Sequence, residues 1–269
     1  MEDIRRARAA RRLPAGGGRL ACDEDAVRFV DEKGFVLLMP LRGLPLPSLS
    51  EADGADPWGE DFRCTDRAWA WKETLPARKL CAYGKFIRAR GAFLSWRLYP
   101  AFYAAYGPAG DPDEEYEAGK LARADRALVD LVAAHGPVDS HDLWRLAKPL
   151  FGGERHRFTA ALDRLQAGFF LTVAGGTLEG WSRHTWDLVE RQVPAGLLDR
   201  LPQPRVARAT IVRQTVWNCA ALPERSLGGI LRWGPAEVGR ALEDLLAAGH
   251  LARVTVEGER GPWVAAGWE

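Results

Sequence analysis

"LDRLQAGFFLTV" (Leu162–Val173) and "LEDLLAAGHLARV" (Leu242–Val254) lie eighty residues apart and read alike. Each starts as the apolar stripe of a helix, Leu162 and Leu165 in one and Leu242 and Leu245 in the other. Each then meets a glycine that ends the helix and runs on as a strand. Working outward from the first, Leu121–Ala134 is a helix with Leu121, Leu128, Leu131 and Val132 on its apolar side. "HGPVDSHDLWRLAK" follows with Ser140 as the cap of a short helix, then a helix over Arg155–Ala167 with Phe158, Leu162 and Leu165 on one face. A hairpin of Phe169–Val173 and Thr177–Trp181 turns at "AGG" (Ala174–Gly176). Working outward from the second gives the same order. Helices are predicted at Val206–Ala220, Ser226–Trp233 and Ala236–Ala248, with Pro235 at the favoured first position. A hairpin of Leu251–Val256 and Pro262–Gly267 follows. Helix, short helix, helix and hairpin is the winged-helix order. A two-stranded hairpin is not stable alone, so the helices must cover it.

The N-terminal section reads as a distorted third copy. Asp23–Lys33 is a helix that Gly34 ends, and Phe35–Met39 is a strand. The strand opens "GFVLLMPLRGLPLPSL" (Gly34–Leu49), which breaks on Pro40, Pro45 and Pro47. Ser50–Asp66 is a polar loop and Trp69–Cys81 a helix. Tyr83–Ile87 and Ala92–Trp96 are strands joined by a tight turn at "RARG" (Arg88–Gly91), and a helix carries Tyr99–Tyr106. The expected fold is therefore α+β, mostly helical, with tandem winged-helix units. The boundaries are a basic N-terminal arm over 1–20 and units over 21–113, 114–190 and 191–269.

The chain's 269 residues allow one large domain or two to three small ones, and its 47% hydrophobic and 27% charged residues fit a soluble globular protein. Cys22, Cys64, Cys81 and Cys219 form no C-x-x-C pair and no His cluster accompanies them, which points to a reduced, cytoplasmic protein without zinc or disulfides. The first twenty residues hold six arginines and no apolar signal core, so this segment is expected to be a frayed basic helix or arm hinged at "PAGGG" (Pro14–Gly18). No run is long enough to span a membrane. No G-x-G-x-x-G or P-loop is present, so no nucleotide cofactor is expected. The oligomeric state is not encoded in any pattern.

Lys plus Arg is 37 against 36 Asp plus Glu, so the total charge says little; its distribution says more. From Thr74 to Gly110 there is no Asp or Glu, while Arg78, Lys79, Lys85, Arg88, Arg90 and Arg97 are interleaved with eight aromatic residues. Phosphates attract cations and unstacked bases stack on flat rings. This makes Arg78, Lys79, Lys85, Arg88 and Arg90 candidate DNA contacts, with the hairpin tip suited to a groove. The third helix of the middle unit adds Arg155, Arg157 and Arg164, the last two seven apart and on one face. The matching helix of the last unit exposes Glu237, Arg240, Glu243 and Asp244, and carboxylates there point to a scaffold role. In "WAWKETLPARK" (Trp69–Lys79), Trp69 and Trp71 could flank a flipped base and Glu73 could activate water, or the segment could be core. His135, His141, His156, His184 and His250 form no triad-like pattern and read as solvated or capping residues.

Four stretches together resemble the AlkZ-related proteins, a branch of the AlkZ-type winged-helix DNA glycosylases. They are "FVDEKGFVLLMPLRGLPLPSLSEA", "WAWKETLPARKLCAYGKFIRARGAFLS", "DPDEEYEAGKL" and "HGPVDSHDLWRLAK". The resemblance runs from about Glu24 to Leu251. It implies tandem winged-helix units that cup double-stranded DNA without a metal or cofactor. Catalytic members carry Gln-x-Gln or Gln-x-Asp on the strand after the first helix. Here that strand reads Leu37-Leu38-Met39-Pro40-Leu41, with no Gln, Asp or Glu between Gly34 and Ser50. Met39 and Pro40 could meet a base or be core, and Glu73 and Asp66 are the nearest acids that could substitute. The preferred expectation is a protein that binds damaged or distorted duplex. The alternatives are a glycosylase that removes alkylated or crosslinked bases with a non-Gln acid, and a protein-interaction scaffold that has lost DNA binding.

Overall fold

The structure, a computed structural model, describes residues 2–56, 64–178 and 183–266. The chain is α+β, and one arrangement recurs three times. Helix α1 (Glu2–Arg12) precedes the first copy, which comprises α2 (Asp23–Lys33), β1 (Phe35–Leu37), α3 (Leu49–Ala52), α4 (Asp66–Ala77), β2 (Ala82–Ile87) and β3 (Arg90–Leu94). Helices α5 (Tyr99–Tyr106) and α6 (Pro112–Glu117) lead to the second copy. It contains α7 (Arg123–His135), β4 (Val138–Asp139), α8 (Ser140–Ala147), α9 (Arg155–Ala167), β5 (Leu171–Thr177) and β6 (Arg183–Leu188). A short α10 (Val189–Gln192) joins it to the third: α11 (Pro204–Cys219), β7 (Ala221–Pro223), α12 (Glu224–Leu231), α13 (Pro235–Ala247), β8 (Leu251–Val254) and β9 (Trp263–Ala266). Each copy closes an antiparallel three-stranded sheet with its last strand in the middle, in the orders β1-β3-β2, β4-β6-β5 and β7-β9-β8.

The repetition extends to single residues. The buried face of α4 is Ala68, Trp71, Lys72 and Leu75. That of α9 is Phe158, Ala161, Leu162 and Leu165, and that of α13 is Val238, Ala241, Leu242 and Leu245. The spacing is the same in all three, so Lys72 occupies the core position of Leu162 and Leu242. Two residues beyond Ala77, Ala167 and Ala247 the chain turns left-handed at Lys79 (φ 53°), Phe169 (φ 58°) and Gly249 (φ 70°). The next N–H closes the turn onto the helix: Leu80 to Leu75 O, Phe170 to Leu165 O and His250 to Leu245 O, at 3.0, 2.9 and 2.9 Å. The glycine expected to make this turn in the second copy, Gly168, keeps a negative φ of −89°, and its neighbour Phe169 takes the strained conformation instead.

The first sheet is central and covered on both faces. Val36, Leu38, Tyr83 and Phe93 pack with α2, α4 and the second copy, while Phe35, Leu37, Ile87 and Leu94 pack with α5 and the third copy. Both faces of β1 are therefore apolar, which is why "FVLL" does not alternate. The prolines that follow turn the chain back along the same edge, where the Leu37 N–H donates to Pro47 O (2.9 Å) and the Ser50 N–H donates to Leu38 O (3.1 Å).

Four expectations need correction. The second strand of the middle hairpin is Arg183–Leu188, not Thr177–Trp181. A bulge between Val173 and Gly175 lets β5 run through "AGG" to Thr177, and residues 179–182 lie outside the described residues. The cap of α8 is Asp139, whose carboxylate accepts from the His141 N–H at 2.7 Å; Ser140 bonds across to β6 instead. Residues 50–66 are not all loop, since α3 begins at Leu49; residues 57–63 lie outside the described residues. The basic N-terminal segment is a docked helix. Arg8 donates to Cys219 O (3.2 Å) and Ala221 O (2.7 Å), and Arg11 donates to Trp217 O (2.6 Å), so these cations satisfy carbonyls around the C-terminus of α11. Among the described residues no helix is long and apolar enough to cross a membrane.

Candidate functional site

The β2–β3 hairpin turns on Arg88 and Ala89, both left-handed at φ 48° and 54°, between paired Ile87 and Arg90. Two left-handed residues match the twist of a tight hairpin, though neither is the glycine or asparagine such turns prefer. The tip is held by the Arg88 N–H, which donates to Ile230 O of α12 at 3.3 Å. First-copy hairpin, second-copy α9 and third-copy α12 thereby converge. A cleft of about 570 Å³ opens between them, lined with Phe86, Phe102, Tyr106 and Phe169 and edged by Lys85, Arg164 and Arg232.

These cations differ in how they are held. Lys85 pairs with Asp163 at 2.5 Å, and Arg164 grips Asp125 with two bonds of 2.8 Å. Asp125 raises the Arg164 pKa through its hydrogen bonds. Arg88, Arg90 and Arg232 are exposed, and none has an acidic partner among the described residues. Arg232 was not singled out by the sequence reading; a left-handed φ of 60° after α12 turns it to the cleft. The other predicted cations lie elsewhere on the surface. Arg78 pairs with Asp23 at 2.5 Å, and Lys79 donates to Arg191 O at 2.7 Å. Arg155 lies 5.8 Å from the Trp144 ring, and Arg157 pairs with Glu154 at 3.1 Å. In the third copy, Asp244 is taken up by Arg205 at 2.6 Å, and Glu237 caps the Gly234 N–H at 3.0 Å.

The indole pair is divided. Trp69 is 46% exposed, with the Lys72 ammonium 4.3 Å from its ring. Trp71 is 1% exposed, and its Nε1–H donates to Asp23 at 2.7 Å. On the return loop Met39 is half-buried against the core and Pro40 is buried.

Glu73 is 1% exposed beside Lys72, which is also buried. Lys72 Nζ lies 2.5 Å from Oε1, and Oε2 lies 3.0 Å from His184 Nδ1 of β6. The approach is close because Gly176, paired with His184, stands next to the carboxylate: a Cβ there would overlap Glu73 Oε2 and Arg183 O. Tyr83 packs on His184 with ring centroids 5.8 Å apart, and burial, reinforced by the Glu73 carboxylate, pushes its phenol pKa up. Asp66, in the first turn of α4, is exposed and two turns from Glu73. His184 is thus not a capping residue; half-buried, it is the partner of the buried acid. A contact between residues 73 and 184 leaves no trace in local spacing, so the sequence reading missed it.

The profile of the AlkZ-related family matches residues 21–231. Among solved structures, the Streptomyces sahachiroi DNA glycosylase AlkZ superposes with a TM-score of 0.58 over 96% of this chain and 68% of its own, at 16% identity. At that identity the likeness shows the fold. No curated protein matches.

Proposed function

This chain belongs to the AlkZ-related family, and on that premise we propose that it binds duplex DNA in the cytoplasm and recognises damaged or distorted sites with the cleft beneath the β2–β3 hairpin. Its three repeats read as winged-helix units over 21–113, 114–190 and 191–269, following the basic segment 1–20. The observation that carries the reading is the hairpin tip. Arg88 and Arg90 stand exposed in a span free of acids, above a cleft walled by aromatic rings. Arg88, Arg90 and Arg232 take phosphates first, because no carboxylate has to be displaced. Lys85 and Arg164 follow by exchanging Asp163 and Asp125 for phosphate. Arg78, Lys79, Arg155 and Arg157 widen the basic surface. Trp69, the exposed indole, offers a face to a base, whereas Trp71 and Pro40 are buried and Met39 is half-buried against the core.

A second reading, hydrolysis of the N-glycosidic bond, is favoured by one observation, the contact of Glu73 with His184. A carboxylate and an imidazole at 3.0 Å are an acid–base pair of the kind that hydrolysis needs. The opening strand contributes no polar group to it, since Leu37 and Leu38 are core residues.

The test is fluorescence anisotropy on plain duplex and on duplex with one alkylated base, followed by alkali treatment of the same samples. Salt-dependent binding without alkali-labile sites is expected. Alkali-labile sites that vanish in Glu73→Gln would select the glycosylase reading. Absence of binding to either duplex would leave a scaffold for protein partners.

A further inference from the structure

A second cavity, of about 270 Å³, lies between β2, α9 and β6. It shares Lys85 and Asp163 with the large cleft, so their ion pair stands between the two spaces. We propose that this cavity receives a single planar heteroaromatic ring carrying both an N–H and a carbonyl, a nucleobase, and that Gln166 and His184 read its polar edge. The inference rests on the DNA-binding reading only for where the ring comes from.

Four observations carry it. The volume falls below the ~300–1,000 Å³ of clefts that take drug-sized ligands, which suits one ring system without its sugar and phosphate. The walls are flat: Tyr83, Phe158 and Trp186 all line the space, and His184 sits between Tyr83 and Trp186 at 5.8 and 5.9 Å. Gly91 clears the way for this, since a Cβ there would overlap the Tyr83 hydroxyl.

The third observation is an unpaired donor. Gln166 is 3% exposed and lines the cavity. Its Oε1 accepts from the Lys85 N–H at 3.0 Å, but its Nε2 has no partner among the described residues. A buried amide N–H without an acceptor costs free energy, and a ring carbonyl would supply the acceptor.

The fourth is the imidazole. With Nδ1 3.0 Å from Glu73 Oε2, the carboxylate fixes the tautomer that keeps the hydrogen on Nδ1. In the neutral ring Nε2 is then an acceptor, and it has no hydrogen-bond partner among the described residues. A ring N–H completes it. Donor from Gln166 and acceptor from His184 together select a lactam edge over a purely accepting ring.

The experiment uses the full chain and two probes. One is a duplex carrying the fluorescent guanine analogue 6-methylisoxanthopterin opposite an abasic position, followed by its emission. The other is free hypoxanthine, followed by saturation-transfer NMR. Gln166→Glu keeps the acceptor for the Lys85 N–H and removes the amide donor. His184→Asn keeps a donor to Glu73 and removes Nε2. The proposal expects a saturable response to at least one probe in the wild type. It expects that response to weaken at least tenfold in either variant that retains the wild-type circular dichroism, with affinity for plain duplex unchanged in His184→Asn, which adds no charge. A response to the duplex probe means DNA presents the ring. A response to free hypoxanthine alone upholds the cavity while removing DNA as the source, which separates this inference from the functional reading. No response to either probe, or an equal response in both variants, overturns it.

Discussion

Glu73 of α4 and His184 of β6, 111 residues apart in the chain, meet at 3.0 Å, and this contact ties the first repeat to the second. It exists because α4 departs from its two sister helices. Where α9 and α13 place Leu162 and Leu242 in the core, α4 places Lys72, and the acid beside it is buried with it. A buried ammonium is tolerated only with a carboxylate to pair it.

Removing that carboxylate charge should therefore be costly. Glu73→Gln is expected to lower unfolding stability by about 3 kcal/mol, read from urea denaturation, because it removes the charge of the carboxylate that lies 2.5 Å from the buried Lys72 ammonium. Lys72→Met combined with Glu73→Gln should recover most of that loss, since it restores the apolar core position of the sister helices. A double variant no more stable than Glu73→Gln would mean that the Lys72 charge is not the source of the cost.

The three left-handed turns make a second prediction. Gly249 adopts φ 70° without penalty, whereas Lys79 and Phe169 pay for a Cβ in the same place. Gly249→Ala should lower stability by about 1 kcal/mol, and Lys79→Gly should not lower it, both measured by thermal unfolding.

Buried thiols set the response to alkali. Burial pushes the Cys219 pKa up to about 12 despite the nearby Arg8 and Arg11, and burial raises that of Cys81 as well. In the unfolded chain a thiol ionises near ~8.5. The folded state thus holds these protons more tightly, so their contribution is complete below that pH and is lost as the pH climbs towards 12. The melting temperature should fall progressively from about pH 9. Cys219→Ala should make the fall shallower, which a melting series from pH 7 to 11 would reveal.

Local pattern sufficed where local forces decide. Asp23–Lys33, Tyr99–Tyr106 and Arg155–Ala167 are helices over the bounds their periodicity and flanking residues predict. The recurrence of Leu162–Val173 in Leu242–Val254 also exposed two of the three repeats. The first repeat was harder to read because its third helix carries Trp71 and Lys72 on the buried face and turns on Lys79, not a glycine. Strands β4 and β7 have two and three residues, too few for a period. The candidate site was half legible. An acid-free run with interleaved arginines marks the hairpin directly. Arg232, Gln166 and His184 reach their places only through contacts between repeats, which no window of sequence contains.

The claim that the hairpin tip grips phosphate is tested most directly by one measurement: the slope of log affinity against log salt for a plain duplex, in the wild type and in Arg88→Ala/Arg90→Ala. Each phosphate contact contributes about −0.9 to that slope. The account predicts a linear dependence in the wild type that becomes shallower by about 2 in the double variant, with weaker binding at every salt concentration. A slope that both proteins share would contradict it.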